Sequence, residues 1–155
     1  MLRLHLLRHA EPLVMGSISS DKDRPLTEYG LKQCETLKKN LNLDWSDITI
    51  WCSTAIRTRE TAFYFLDSKT LTNVVFKDEL YLTSMRNLLE LISTYEGTNK
   101  LMIIGHNNGL TDLLNYLCDT HTILQTGHYV CLDFHLDHWN EVSRSTASVV
   151  RELVP

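Results

Sequence analysis

The sequence predicts an α/β protein, a three-layer sandwich in which a mostly parallel central sheet of about six strands is flanked by helices. Short apolar and β-branched runs alternate along the chain with amphipathic segments, a pattern typical of strand–helix–strand units. The composition is that of a globular protein, because 43% of the 155 residues are hydrophobic and 22% are charged. Disordered and fibrous classes are therefore excluded, and the length favours one domain.

Six strands are predicted from these runs. The first four cover residues 1–7, 48–52, 74–77 and 100–104. After Gly127 strict alternation of the side chains predicts a fifth strand, which continues to about Leu136. The β-prone segment Ala147–Leu153 follows a turn-like stretch and predicts a returning edge strand.

Four helices are predicted between the strands. Thr27 is expected to cap the first helix, because its hydroxyl precedes an apolar stripe of helical spacing. The other three cover about residues 54–67, 84–95 and 107–118, and Ser53 or Thr54 is expected to cap the first of them. In that helix the side chains expected to face inward are Ala55, Ala62, Phe63 and Leu66.

Charge and hydropathy exclude several classes of partner. The net charge is −4 and Lys and Arg are scattered, so no nucleic-acid footprint is present. The apolar run 62–66 is five residues long, far short of the roughly 20 that span a bilayer. Charges recur too often at the N-terminus for a signal peptide, and the four cysteines lack a paired spacing. We therefore expect a cytoplasmic protein with free thiols.

Three stretches place cationic or imidazole side chains just after predicted strands. Arg8 and His9 follow the first strand, Arg57 falls in the first turn of the second helix, and His106 joins a strand to a helix. Open α/β sheets bind ligands at the carboxyl ends of their strands, so these side chains should converge. An arginine at the start of a helix opposes the helix dipole, which indicates that an anion binds there.

Together these stretches resemble the histidine phosphatase superfamily, the phosphoglycerate-mutase-like fold, whose signature is Arg-His-Gly after the first strand and a later Gly-His. The resemblance implies that His9 is the nucleophile. It implies equally that Arg8, Arg57 and His106 form the phosphate pocket, and that no metal is required. Asn107, next to His106, is expected to take part in substrate binding.

A further stretch narrows the resemblance to small members of the superfamily. The segment Arg24-Pro25-Leu26-Thr27, followed by Gly30, looks like one that bacterial phosphohistidine phosphatases carry before the first helix. The chain is accordingly interpreted as a single domain, 1–155, without a cap insertion. It departs from the family pattern at Ala10, where Gly is usual, and at Thr54, where Pro is usual. Ala10 requires a backbone that avoids positive φ.

The proton-donating acid is less well determined. Glu79 occupies the place where the family often has such an acid after its third strand, and Asp78 and Glu11 are alternatives. His128 lies near the family's last pocket loop, and its role stays open. A metal pair of His5 and His9 is disfavoured, because these residues lie on a strand.

The function that the resemblance implies is a cofactor-free phosphatase with a phosphohistidine enzyme intermediate, which dephosphorylates phosphohistidine on a protein. One alternative is a phosphomonoesterase or mutase of the same superfamily that acts on a small metabolite. Another, of a different class, is a catalytically silent phosphoprotein-binding module, which the presence of His9 and both arginines disfavours. The expected partner is a phosphorylated carrier protein or a small phosphorylated metabolite, with no nucleic acid and no membrane.

Overall fold

Six strands form one sheet in the computed structural model, which describes residues 1–16 and 18–155. The strands are β1 (Leu2–Arg8), β2 (Ile48–Ser53), β3 (Val74–Lys77), β4 (Lys100–Gly105), β5 (Tyr129–Phe134) and β6 (Ala147–Leu153). Their order across the sheet is β3-β2-β4-β1-β5-β6. All six predicted strands are therefore present, and the α/β fold is confirmed.

The sheet is mixed rather than mostly parallel. Strands β3, β2, β4 and β1 are parallel, whereas β5 runs antiparallel to β1 and β6 antiparallel to β5. Residues 119–128 bring the chain back to the carboxyl edge of β1, where the Gly127 amide donates to the His9 carbonyl at 2.9 Å. Strand β5 therefore starts at that edge and runs the opposite way. No helix long enough for a crossover separates β5 from β6, so these two strands also pair antiparallel.

Helices cover both faces of the sheet. They are α1 (Glu28–Asn40), α2 (Ile56–Phe65), the short α3 (Ser68–Leu71), α4 (Met85–Ser93) and α5 (Gly109–Cys118). The four predicted helices are confirmed, and α3 was not predicted. Thr27 caps α1 as expected, because its hydroxyl accepts from the Gly30 amide at 2.9 Å.

The start and the buried face of α2 differ from the prediction. The helix begins at Ile56 with Ala55 as N-cap, and no side chain caps it. The Ser53 hydroxyl bonds His106 instead, and the Thr54 hydroxyl bonds Asp78. Phe63 is 64% exposed rather than inward. The buried stripe of α2 contains Arg, Thr and Ala side chains, so hydrophobic periodicity could not identify it.

Two apolar clusters, one on each face of the sheet, make the three layers. One cluster packs α4 and α5 against the sheet through residues such as Leu88 and Leu113. The other packs α1 and α2 through residues such as Leu37 and Phe65. Both faces of the central strands are buried, which explains their nearly continuous apolar runs.

Two further expectations concern the membrane and the thiols. Within residues 1–16 and 18–155, no helix combines the length and the apolar character needed to cross a bilayer. All four cysteines are free thiols, and three of them are buried.

The strand order brings together the three stretches that carry cationic or imidazole side chains. Arg8 pairs in register with Gly105, the residue before His106, on the neighbouring parallel strand. Strand β2 lies on the other side of β4 and ends at Ser53, from which the chain enters α2. The carboxyl ends of β1, β4 and β2 are therefore adjacent, and each delivers part of one site.

Candidate active site

His9 lies at the bottom of the site and is 5% exposed. Its backbone amide donates to the Gly105 carbonyl at 3.1 Å, which anchors the residue just beyond β1. The ring Nδ1 donates to the Ala10 carbonyl at 2.8 Å. Because a carbonyl can only accept, Nδ1 carries the proton and Nε2 is unprotonated, the form that a nucleophilic imidazole needs.

Ala10 avoids positive φ, as its side chain requires, and lies buried beside His9. Its amide donates to the Thr61 hydroxyl at 3.0 Å, and that hydroxyl donates to the Arg57 carbonyl at 2.7 Å. The loop after β1 is thus tied to the first turns of α2. This tie holds His9 and Arg57 in register.

Arg57 connects the parts of the pocket. Its Nε lies 3.4 Å from Nε2 of His9, and one terminal nitrogen lies 3.2 Å from Nδ1 of His106. Asp21 accepts from both terminal nitrogens of the guanidinium, with its carbonyl at 2.7 Å from one and its carboxylate at 2.9 Å from the nitrogen that also faces His106. Nε and one terminal nitrogen of Arg57 therefore face the two histidines, while Asp21 holds the terminal end.

His106 completes the wall opposite His9, with the two ring centroids 5.2 Å apart. Its Nδ1 accepts from Arg57, since a guanidinium can only donate, so the proton lies on Nε2. Nε2 donates to the buried hydroxyl of Ser53 at 2.7 Å. The lone pair of Nδ1 therefore points toward Arg57.

Arg8 supplies the second guanidinium. One terminal nitrogen donates to the Leu124 carbonyl at 2.9 Å, which orients the side chain. Its Nε is buried and has no hydrogen-bond partner among the described residues. An unpaired buried N–H is costly, so this donor is explained by an acceptor that arrives with a ligand, such as a phosphate oxygen.

The electrostatics of the site favour an anion. Burial lowers the pKa of His9 to about 3, and the neighbouring His106, Arg57 and Arg8 add to the effect. Burial, with the charge of Arg57, also lowers the pKa of His106 to about 3. Both imidazoles are therefore neutral at physiological pH. Two arginines and the Asp21 carboxylate leave one excess positive charge.

The three predicted acids lie outside this network. Glu79 is exposed and borders a cleft against α4, lined by Asn87, Glu90, Leu91 and Thr94. Asp78 pairs with Lys22 at 2.7 Å, and the Glu11 carboxylate accepts from the Thr27 hydroxyl at 2.6 Å. In the described part of the chain, none of the three is hydrogen-bonded to His9, Arg8, Arg57 or His106.

Asn107 and His128 have structural partners. The Asn107 amide nitrogen donates to the Leu124 carbonyl at 2.8 Å, and its oxygen accepts from Thr111 at 2.9 Å. Both polar ends of the side chain are thus engaged, and its part in substrate binding stays a prediction. The His128 ring bonds Glu152 of β6 at 2.7 Å, while its carbonyl accepts from the Arg8 amide.

Two pocket residues were missed by the sequence analysis. Asp21 contacts Arg57 as described, and the Tyr81 hydroxyl donates to the Asp21 carboxylate at 2.6 Å. The Tyr81 ring also packs edge-on against His106, with centroids 5.5 Å apart. The sequence offered one signal for these two residues, their closeness to positions already singled out. Asp21 lies three residues before Arg24, and Tyr81 lies two residues after Glu79.

The donor set suits phosphate rather than a metal. Among residues 1–16 and 18–155, no group of three or more His, Cys, Asp or Glu side chains is placed to hold a metal ion. The site offers instead two guanidinium groups and two imidazoles at the adjacent carboxyl ends of β1, β4 and β2. Planar guanidinium groups bind phosphoryl oxygens bidentately, and an imidazole with a free lone pair can attack phosphorus.

Comparison with protein families points to the same chemistry. The family model for the histidine phosphatase superfamily (branch 1) matches residues 4–81. This range spans about half of the chain and contains Arg8, His9 and Arg57, whereas His106 lies beyond it. No curated protein matches the chain.

Solved structures match nearly the whole chain. A protein designated phosphohistidine phosphatase SixA from Nakamurella multipartitia has a TM-score of 0.83 at 22% identity, covering 99% of this chain and 96% of that one. Its counterpart from Agrobacterium tumefaciens has a TM-score of 0.79 at 23% identity, covering 99% and 98%.

A protein designated alpha-ribazole-5'-P phosphatase from Escherichia coli has a TM-score of 0.72 at 17% identity, covering 96% and 94%. At these identities the three structures establish a shared fold.

Proposed function

The chain belongs to the histidine phosphatase superfamily, and on that premise we propose that it is a metal-independent phosphatase that dephosphorylates phosphohistidine on a protein. His9 attacks the phosphorus through Nε2, and the bond from phosphorus to the substrate nitrogen breaks. The leaving imidazole takes the electron pair of that bond. Water then attacks the phosphoryl group on His9 and releases inorganic phosphate, which restores the free imidazole.

The surrounding residues stabilise the charge that is transferred. Arg8 and the pocket edge of Arg57 donate to the phosphoryl oxygens, on which charge is spread in the transition state. A dianionic phosphoryl group beside His106 raises the pKa of this histidine, so that Nδ1 gives up its bond from Arg57, takes up a proton and becomes a further donor to the phosphoryl group. These donors take the place that a metal has in other phosphatases, so the mechanism uses none.

The choice of substrate rests on one observation: among the described residues, no carboxylic acid is positioned to protonate a leaving group in the pocket. The carboxylate bonded into the pocket is that of Asp21, and the Tyr81 hydroxyl, with Arg24 and Arg57, holds its pKa well below its usual range. Asp21 is therefore ionised and cannot donate a proton. An alkoxide leaving group needs such a proton, whereas an imidazole that is already protonated on its other ring nitrogen departs as a neutral molecule without one. The site therefore suits phosphohistidine.

A second candidate is a phosphomonoesterase that acts on a small metabolite, which the alpha-ribazole-5'-P phosphatase fold similarity favours. That reaction would draw its proton from an acid such as Glu79. The exposed carboxylate would then have to reach the leaving oxygen in the substrate complex. A silent binding module explains less, because it needs no buried imidazole whose Nε2 is unprotonated.

The test compares a phosphohistidine-bearing carrier protein with 3-phosphoglycerate. We expect a higher kcat/KM for the phosphohistidine protein, because imidazole leaves readily. His9→Ala should abolish turnover, whereas the control His121→Ala, at an exposed histidine, should retain it. The trapped phosphoenzyme should be acid-labile and base-stable, as a phosphoramidate is. Turnover by pure His9→Ala, or an acid-stable adduct, would refute the mechanism.

Two further experiments test the choice between the two candidate functions and the absence of a metal from the mechanism. Glu79→Gln should lower the hydrolysis of 3-phosphoglycerate more than that of phosphohistidine, and equal sensitivity would favour the metabolite enzyme. Treatment with a chelator should leave activity unchanged, and vanadate should compete with substrate. Activity lost on chelation and restored by a divalent ion would contradict the metal-independent mechanism.

A further inference from the structure

Asp21 lies at the mouth of the pocket, in the one-turn helix Asp21–Asp23 between β1 and α1. Three donors hold its carboxylate. One oxygen accepts from Arg57 at 2.9 Å and from the Tyr81 hydroxyl at 2.6 Å, and the other accepts from Arg24 at 2.9 Å. The carboxylate is therefore a negative charge at a defined position.

The negative charge of Asp21 opposes the binding of a phosphoryl group in the pocket. Because the Asp21 carboxylate stays ionised, it repels an incoming dianionic phosphoryl group. Orienting Arg57 does not require that charge, since the oxygen of a neutral amide would also accept the hydrogen bonds from Arg57 and Tyr81, which share one oxygen of Asp21. The negative charge itself therefore calls for a separate explanation.

The position of Asp21 relative to the nucleophile explains the negative charge. The Arg57 guanidinium extends from His9, at its Nε, to Asp21, at its far edge. Asp21 thus lies across the guanidinium from the nucleophile, toward the solvent. In an in-line displacement the leaving group departs on the side opposite the nucleophile. The carboxylate is therefore on the side of the pocket where the leaving group lies.

Asp21 also retains capacity for a further contact. A carboxylate offers about four acceptor positions, and the contacts within the described part of the chain fill three of them. The side chain is 37% exposed, so a group on a bound substrate can reach it. The group that it would attract is a cationic N–H donor, and the group that it would repel is a second carboxylate.

We propose that Asp21 is a specificity-determining residue that selects substrates with a cationic leaving group over substrates with an anionic one. The inference rests on the proposed function and names its substrate class. The imidazole of phosphohistidine, protonated on its free ring nitrogen, is such a cation, and its N–H can donate to Asp21. When the P–N bond breaks, the electron pair passes to the leaving nitrogen and the imidazole leaves as a neutral molecule. Phosphoserine and 3-phosphoglycerate carry a carboxylate and are disfavoured.

The test uses two aryl phosphates of similar leaving-group acidity, one with a trimethylammonium substituent and one with a carboxylate substituent. Aryl phosphates need no strong acid, so this pair reports charge selection whether or not phosphohistidine is the natural substrate. Wild-type protein should prefer the cationic compound, and the preference should shrink as ionic strength rises. In Asp21→Asn the ratio of the two kcat/KM values should fall about tenfold, the scale of one charge several ångströms away.

Asp23→Asn is the matched control. It removes the same charge from the same helical turn, but the Asp23 carboxylate bonds Ser19 and Ser20 rather than Arg57. We expect its ratio to stay within about twofold of the wild-type value. Equal losses on both compounds in Asp21→Asn would overturn the inference, because Asp21 would then only position Arg57. A wild-type preference for the anionic compound, which needs no variant to fold, would overturn it as well.

The two proposals fail in different ways. If wild-type protein selects the cationic aryl phosphate but does not hydrolyse a phosphohistidine protein, charge selection by Asp21 is upheld and the proposed substrate is wrong. If it hydrolyses the phosphohistidine protein and Asp21→Asn leaves the aryl ratio unchanged, the proposed function is upheld and the role of Asp21 is wrong.

Discussion

Arg57 is the residue through which His9, His106 and Asp21 are connected. Its guanidinium is almost fully buried and contacts His9 through Nε, and one terminal nitrogen contacts both His106 and Asp21. A lysine could not make these contacts together, because it carries a single charged nitrogen without the planar fork of arginine. The geometry of the proposed phosphate pocket therefore depends on this one side chain.

Replacing Arg57 tests that dependence. Arg57→Ala should raise the activation free energy by about 2–4 kcal/mol, the usual scale for the loss of one preorganised donor. The measurement is kcat/KM with an aryl phosphate. Arg59→Ala is the control, since Arg59 is exposed on the same helix and lies over the Phe76 ring. A loss under tenfold in Arg57→Ala would place this residue outside the pocket.

The connection between β1 and α1 is the element that brings Asp21 to the pocket. Its end is secured where α1 begins, because the Thr27 amide donates to the Glu11 carbonyl at 2.9 Å. The same carbonyl lies against Gly30, where a Cβ atom would come within 2.4 Å of it. Gly30 is therefore required by a close approach of two backbones, which explains its place in the Arg24-Pro25-Leu26-Thr27 segment.

Adding a methyl group at Gly30, where the two backbones approach each other, should destabilise the connection between β1 and α1. Gly30→Ala should lower the free energy of unfolding by about 1–3 kcal/mol, the usual cost of overpacking, as measured by urea denaturation. Gly105→Ala is the control, because its Cβ would meet Leu110 at 3.5 Å, an ordinary contact. Equal stability of the two variants would show that the backbone at Glu11 can move away from Gly30.

At the scale of the whole molecule, three buried histidines should control acid stability. Burial lowers the pKa of His5 to about 4 and those of His9 and His106 to about 3, from a reference value of 6.5. Between about pH 6.5 and pH 3 the unfolded chain therefore binds more protons than the folded protein. Their stabilising contribution is complete above pH 6.5 and is lost as the pH falls through this window.

The expected result is a free energy of unfolding that falls as the pH is lowered from 6.5 to 4. Each such histidine contributes a slope of about 1.4 kcal/mol per pH unit. His5→Gln should reduce the total slope by about that amount, since Gln can still bond the Tyr129 hydroxyl that His5 contacts at 2.7 Å. The control is His121→Gln, at an exposed position. Identical slopes in wild type and His5→Gln would contradict the prediction.

Local sequence information was sufficient wherever structure depends on neighbours in the chain. The six strands, the Thr27 cap and the apolar stripe of α5 follow from side-chain period and from residues a few positions apart. The same holds for the convergence of Arg8, His9, Arg57 and His106, because each follows a strand end and parallel strands end at one edge. The buried face of α2 could not be predicted in this way, since polar groups bonded within the fold line it.

The amino-acid sequence by itself therefore determined the α/β class, the succession of strands and helices, and the four side chains that meet at the carboxyl edge of the sheet. Only the tertiary structure decided that the sheet is mixed, that Ser53 bonds His106 rather than capping a helix, and that Asp21 borders the pocket. The physical reason is distance along the chain. Asp21 is 36 residues from Arg57 and 60 from Tyr81, and hydrogen bonds over such separations leave no periodic trace in the sequence.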